Sequence, residues 1–90
     1  MSNATDLTEA DFQAEVCESS IPVIVDFWAP WCGPCKALAP SLASIAKERD
    51  SLVVAKVNTD TDSMNAAKNG VRGIPALFLF HNGKVVDQRT

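Results

Sequence analysis

Apolar residues fall in three short blocks that read as strands and one stripe that reads as helix. From Ile21 to Trp28 β-branched and aromatic residues dominate and Asp26 is the only charge, which predicts a strand covered on both faces. Leu52 to Val57 has the same character, interrupted by Lys56, and Ala76 to Phe80 predicts a third strand. Asn82-Gly83 is a strong hairpin signal, so Lys84 to about Gln88 is expected to pair back antiparallel. Between the first two strands Leu38, Leu42, Ile45 and Ala46 recur at helical spacing. They predict a helix from Pro34 to about Glu48, kinked at Pro40 because proline lacks the N–H donor and crowds the preceding turn. Asp60 to Asn69 predicts a short helix capped by Asp62 or Ser63 and stopped at Asn69-Gly70. Near the start, Thr8 as cap, Asp11 three residues on, and Leu7 with Phe12 as a hydrophobic staple predict a helix running to about Cys17 or Glu18.

The order is a weak strand, then α-β-α-β-α-β-β. Alternation of this kind predicts an α/β fold with a mostly parallel central sheet and an antiparallel closing edge. Ninety residues allow one domain, 1–90, with a single modest core. Composition changes this picture little: 47% hydrophobic and 21% charged is ordinary globular usage. The net charge of −3 gives no electrostatic footprint for nucleic acid or an anionic membrane. The first residues lack a basic and an apolar region, so no signal peptide is read there, no run is long enough for a membrane span, and a cytoplasmic location is expected. Ser2-Asn3-Ala4 is read as an end without function.

The chemistry concentrates in Trp31-Cys32-Gly33-Pro34-Cys35-Lys36, directly after a buried strand and at the opening of the longest helix. Two cysteines three positions apart on a helix share a face and lie within reach of a disulfide. Cys32 falls at the helix N-terminus, where free N–H groups and the helix dipole favour an anion, so it is expected to be the thiolate nucleophile. Cys35, one turn further in, is expected to stay a thiol until it attacks a mixed disulfide as the resolving sulfur. Gly33 permits close backbone approach, and Pro34 fixes φ in the first turn while giving up a donor that would be orphaned anyway. The other reading of such a pair is half of a zinc site, for which only Cys17 and His81 remain, without ligand spacing.

Asp26 is the second informative residue. A carboxylate inside a buried strand costs several kcal/mol unless paired or neutralised, so its pKa is expected to be raised. It reads as a general base that accepts the Cys35 proton, in part through water. The alternative is a structural pairing with Lys56, and the two are compatible. Cys17 reads as a small space-filling residue, Asp60-Thr61-Asp62 as helix capping rather than a calcium loop, His81 as a solvated strand end, Trp28 as packing beneath the cysteines, and Lys36 as a solvated helix residue.

Together, Val25-Asp26-Phe27-Trp28-Ala29-Pro30-Trp31-Cys32-Gly33-Pro34-Cys35-Lys36, with Pro40, Lys56, Gly73-Ile74-Pro75 and Gly83, resemble the thioredoxin family over about Asp6 to Thr90. The resemblance implies a central mixed sheet flanked by helices and a protein-disulfide reductase that cycles Cys32 and Cys35 between dithiol and disulfide. It implies that Pro75 is a cis-proline facing the disulfide, that Trp31, Gly73, Ile74 and Pro75 form the groove for an extended substrate segment, and that Trp28, Pro40 and Lys56 support the site. No cofactor is expected on the chain itself. Electrons are expected from thioredoxin reductase, an NADPH-dependent flavoprotein acting in trans, and disulfide-containing proteins are the expected substrates. The pair Gly33-Pro34 resembles reducing members of the family. The family continues past the last strand into a final amphipathic helix that is absent here, so an incomplete C-terminus, an uncovered sheet face and self-association through it are expected.

Overall fold

A computed structural model describes residues 4–90, and the reading of the first residues as an end without function lies mostly outside them. The run that centres the sequence forms the centre of the sheet. β1 is Thr5–Leu7, β2 Val23–Trp28, β3 Val53–Asn58, β4 Ala76–His81 and β5 Lys84–Arg89, and they lie side by side in the order β1-β3-β2-β4-β5. β2 is parallel to β3 and antiparallel to β4, which makes the sheet mixed. Among the described residues the α-helices are α1, Gly33–Glu48, and α2, Ser63–Lys68. α1 runs as one element through Pro40.

Strand side chains alternate between faces, and β2 uses both. Val23, Val25 and Phe27 enter a core with Phe12, Val16, Ala55, Val57, Phe78 and Phe80. Within it Phe27 meets Phe78 edge-to-face at 5.3 Å, and Phe12 meets Phe80 at 5.7 Å. Burying each such ring contributes about 1.5–3 kcal/mol, with about 1 kcal/mol more for each ring pair. The other face carries Ile24, Asp26 and Trp28, and α1 covers part of it with Leu42 and Ala46 packed on Val54. The continuous apolar character of β2 thus reflects two covered faces, as the sequence predicts.

The N-terminal segment departs from the expected α-helix. It forms a 3-10 turn, Glu9–Asp11, followed by a π-helical turn, Gln13–Cys17, with Glu18 N–H donating to Gln13 O at 3.1 Å. Helix propensity in so short a stretch is weak, and packing of Phe12 and Val16 into the core sets the pitch instead. The expected start does form, though with Asp11 as the acceptor: its carboxylate accepts from the Thr8 hydroxyl at 2.8 Å and the Thr8 N–H at 3.4 Å. Asp62 is the cap of α2, its Oδ1 accepting from Asn65 N–H at 3.0 Å.

β4 and β5 close through Asn82 and Gly83, both at positive φ (54° and 79°), as a two-residue hairpin of matching twist requires. A side chain at Gly83 would also come within 2.9 Å of the Cys17 carbonyl oxygen, so the turn seats on the N-terminal segment and only glycine fits. Val86 is skipped in the pairing of β5, a bulge in an edge strand that is exposed along its whole length.

Candidate functional site

β2 ends at Trp28, and the chain turns within four residues into α1. Ala29 is fully buried and its carbonyl accepts from Cys32 N–H at 3.1 Å, which fixes the entry to the helix. Cys32 is the N-cap of α1 and Cys35 lies in its first turn. The two form a disulfide with Cα atoms 5.2 Å apart. The Cys35 N–H donates to Cys32 Sγ at 3.2 Å. Since Pro34 has no N–H, the donors of the first turn are few, and this one is aimed at the outer sulfur. Both cysteines are nearly buried, at 4% and 3% exposure, with Ala29, Trp28 and Ile74 packed around them.

Asp26 is 1% exposed and its Oδ1 has no hydrogen-bond partner. Burial pushes its pKa up from 3.8 to about 6, against the smaller opposing pull of Lys56. Lys56 stands opposite Asp26 in the β2–β3 register, yet no ion pair joins them among the described residues. The Lys56 ammonium instead lies over the Trp28 ring, 4.5 Å from its centroid, a cation–π contact. Asp26, Cys35, Trp28, Lys36 and Lys56 line one partly open cavity of about 220 Å³. A space of that size has room for several waters, enough to link the inner sulfur and the carboxylate.

On the outer side, Trp31 is 70% exposed and lines an open groove of about 480 Å³ with Ala66, Val71, Gly73 and Ile74. The Ile74–Pro75 peptide is cis. Pro75 borders a separate hollow with Pro34, Leu38 and Leu77 rather than the Trp31 groove. Of the expected surface residues, Trp31, Gly73 and Ile74 therefore share one groove, and Pro75 lines the other hollow. Sequence reasoning missed Asp60, whose Oδ1 accepts from the Trp31 indole Nε1–H at 3.1 Å. The partners are 29 positions apart, and no local pattern marks them.

The remaining candidates stay apart from this cluster. Cys17 is half-buried against the main core, with a thiol pKa raised by burial and by Glu18. His81 is exposed at the end of β4. Among the described residues no group of three or more His, Cys, Asp or Glu side chains could hold a metal ion, and no helix is long and apolar enough to cross a membrane.

A helix-opening disulfide on a mixed five-stranded sheet defines a thiol–disulfide oxidoreductase. The thioredoxin family model matches residues 3–90. The chain is 52% identical over 88 residues to Thioredoxin 1 of Synechococcus elongatus, covering 97% of this chain and 82% of that one. It is 47% identical over 87 residues to the thioredoxin of Haemophilus influenzae (96% and 81%), and 45% identical over 86 residues to that of Porphyra purpurea (94% and 80%). The chain belongs to the thioredoxin family. It is a protein-disulfide oxidoreductase whose redox-active group is its own Cys32–Cys35 pair.

Proposed function

We propose that Cys32 and Cys35 divide the work of protein-disulfide reduction, and that Asp26 moves the proton between steps. In the reduced chain the Cys32 thiolate attacks one sulfur of a substrate disulfide. That S–S bond breaks, the other substrate sulfur leaves and is protonated, and a Cys32–substrate mixed disulfide forms. Cys35 then gives its proton through cavity water to Asp26, and its sulfur attacks Cys32. The substrate's second sulfur departs as a thiol and the Cys32–Cys35 disulfide closes. Two electrons have passed from the thiolate–thiol pair to the substrate; one of its two new protons comes from Cys35 by way of Asp26, and the other comes from solvent. The observation that carries this reading is the shared cavity of Asp26 and Cys35 beneath a sulfur that accepts a backbone N–H. A base with a pKa of about 6 is mostly ionised at pH 7 yet close enough to take a proton without a large penalty.

In the same reading Gly33 and Pro34 shape the first turn. Trp31, Gly73, Ile74 and Pro75 receive an extended substrate segment. Trp28 and Lys56 tune the cavity, and Pro40 supports α1. Residues 1–90 act as one domain, located in the cytoplasm. An NADPH-dependent flavoprotein reductase returns electrons in trans. Iodoacetamide at pH 7 tests the division of labour: Cys32 of the reduced chain is expected to label roughly tenfold or more faster than Cys35, and equal rates defeat it.

A second copy of the chain is a further proposed partner. The half-buried Ile24, Leu77 and Leu79 share one sheet face, and Val85 and Val86 of the edge strand β5 are 41% and 58% exposed. A combination of apolar face and open edge favours association. Sedimentation is expected to show mass rising with concentration, and a concentration-independent monomer removes this partner.

A further inference from the structure

We propose that Asp60 is a positioning residue for the substrate face, holding the Trp31 indole in the orientation that receives an extended disulfide-bearing segment. This rests on the reading of Trp31 as a substrate contact. An indole that is 70% exposed is not held by packing, and left alone it would sample several rotamers. Its Nε1–H instead donates to Asp60 Oδ1 at 3.1 Å, joining the turn after β2 to the turn after β3.

The acceptor end of this bond is itself built. Trp28 and Asn58 are register partners at the ends of β2 and β3, and Trp28 O accepts from the Thr59 N–H at 2.8 Å and its hydroxyl at 3.2 Å. Asn58 then organises the turn. Its side-chain Oδ1 accepts from Asp60 N–H at 2.9 Å, and its carbonyl accepts from Asp62 N–H at 2.8 Å and Thr61 N–H at 3.2 Å. The Asp60 backbone is thus fixed relative to β2, and the carboxylate fixes the ring. An acceptor that carries charge makes the stronger class of hydrogen bond. A ring fixed before the substrate arrives presents its area with less ordering left to do on binding, which is how preorganisation gains affinity.

The test is single-turnover oxidation of the pre-reduced full chain by insulin, followed by rapid-quench alkylation, which keeps the reductase out of the assay. Asp60→Ala is expected to raise the half-saturating insulin concentration about fivefold, or about 1 kcal/mol, with little change in the limiting rate. Asp60→Asn keeps an acceptor oxygen and is expected to stay within about twofold of the parent. Trp31→Ala is expected to weaken insulin binding at least as much as Asp60→Ala, and the double variant to be no worse than Trp31→Ala alone, since both changes remove one interaction. Indole N–H exchange of Trp31, read by NMR, is expected to accelerate in Asp60→Ala. If Trp31→Ala weakens binding while Asp60→Ala matches the parent, the tether is overturned and the groove assignment stands. If Trp31→Ala also matches the parent, both are overturned. Equal loss in Asp60→Asn and Asp60→Ala, or unchanged indole exchange, likewise overturns the positioning role.

Discussion

Cys35→Ser is expected to convert the protein from a catalyst into a trap. Cys32 remains at the N-cap of α1, with the residue-35 N–H still directed at its sulfur, so the first attack on a substrate disulfide proceeds. The hydroxyl at position 35 cannot complete the exchange, and the mixed disulfide with substrate accumulates to about one per chain. Steady-state reduction of insulin is expected to fall on the order of 10³-fold or more, as for other catalytic units that lose one member. Cys32→Ser is expected to fall as far while forming no mixed disulfide, since Cys35 lies inside the first turn and not at the N-cap, where a backbone N–H is directed at the sulfur of residue 32. Non-reducing electrophoresis separates the two variants. Traps of equal yield from both would reverse the assignment of nucleophile and resolving sulfur.

The second large effect is one of stability. Replacing Asp26 with alanine is expected to stabilise the protein at pH 7–8 by on the order of 2–3 kcal/mol, because the native state otherwise holds an ionised carboxylate without a hydrogen-bond partner on Oδ1. The sign follows from the raised pKa. Below about pH 4 the carboxyl is protonated in both folded and unfolded chains, and burial carries no charge penalty. As pH rises from about 4 to about 6 the unfolded chain releases its proton first, and the native state loses stability over that window. The gap between variant and parent is therefore widest above about pH 6 and shrinks towards pH 4. Urea titrations at pH 8, 6 and 4.5 read it directly, and a gap that widens in acid would falsify the assignment. In a chain of this size the expected gain raises the melting temperature by more than about 10 °C. The same variant is expected to resolve its mixed disulfide more slowly, by about 10²-fold at pH 7, since a positioned base contributes roughly that factor. Greater stability with slower chemistry is the exchange expected where a buried group is kept for function.

These effects concern residues that the sequence announces. Asp26 is visible because it breaks an apolar run, and the Cys32–Cys35 spacing fixes their relation before any tertiary contact is known. The strands were legible for a related reason: β2, β3 and β4 are short, β-branched or aromatic, and bounded by turn residues, so local preference and global packing agree. The N-terminal segment was not legible. Its capping pattern is real, but the turns that follow obey two core anchors, Phe12 and Val16, rather than helix propensity. The pairing of Asp26 with Lys56 was half legible. The register sets them opposite one another, but the ammonium settles on the Trp28 ring, a choice that depends on rotamers and not on spacing. Asp60 was invisible as a partner of Trp31 because the bond spans two turns that only the β2–β3 alignment brings together.

Both cysteines lie below the surface, at 4% and 3% exposure, while Trp31, next to Cys32 in the chain, stands out into solvent. A target bond must therefore reach inward, presented on backbone loose enough to enter. Cystines in stretches that breathe or fray meet this condition, whereas those stapled inside a rigid body wait on their host's own local opening. The rate at which a given protein is reduced is then set in large part by the target's flexibility, and the order in which cystines yield ranks how often each segment comes undone.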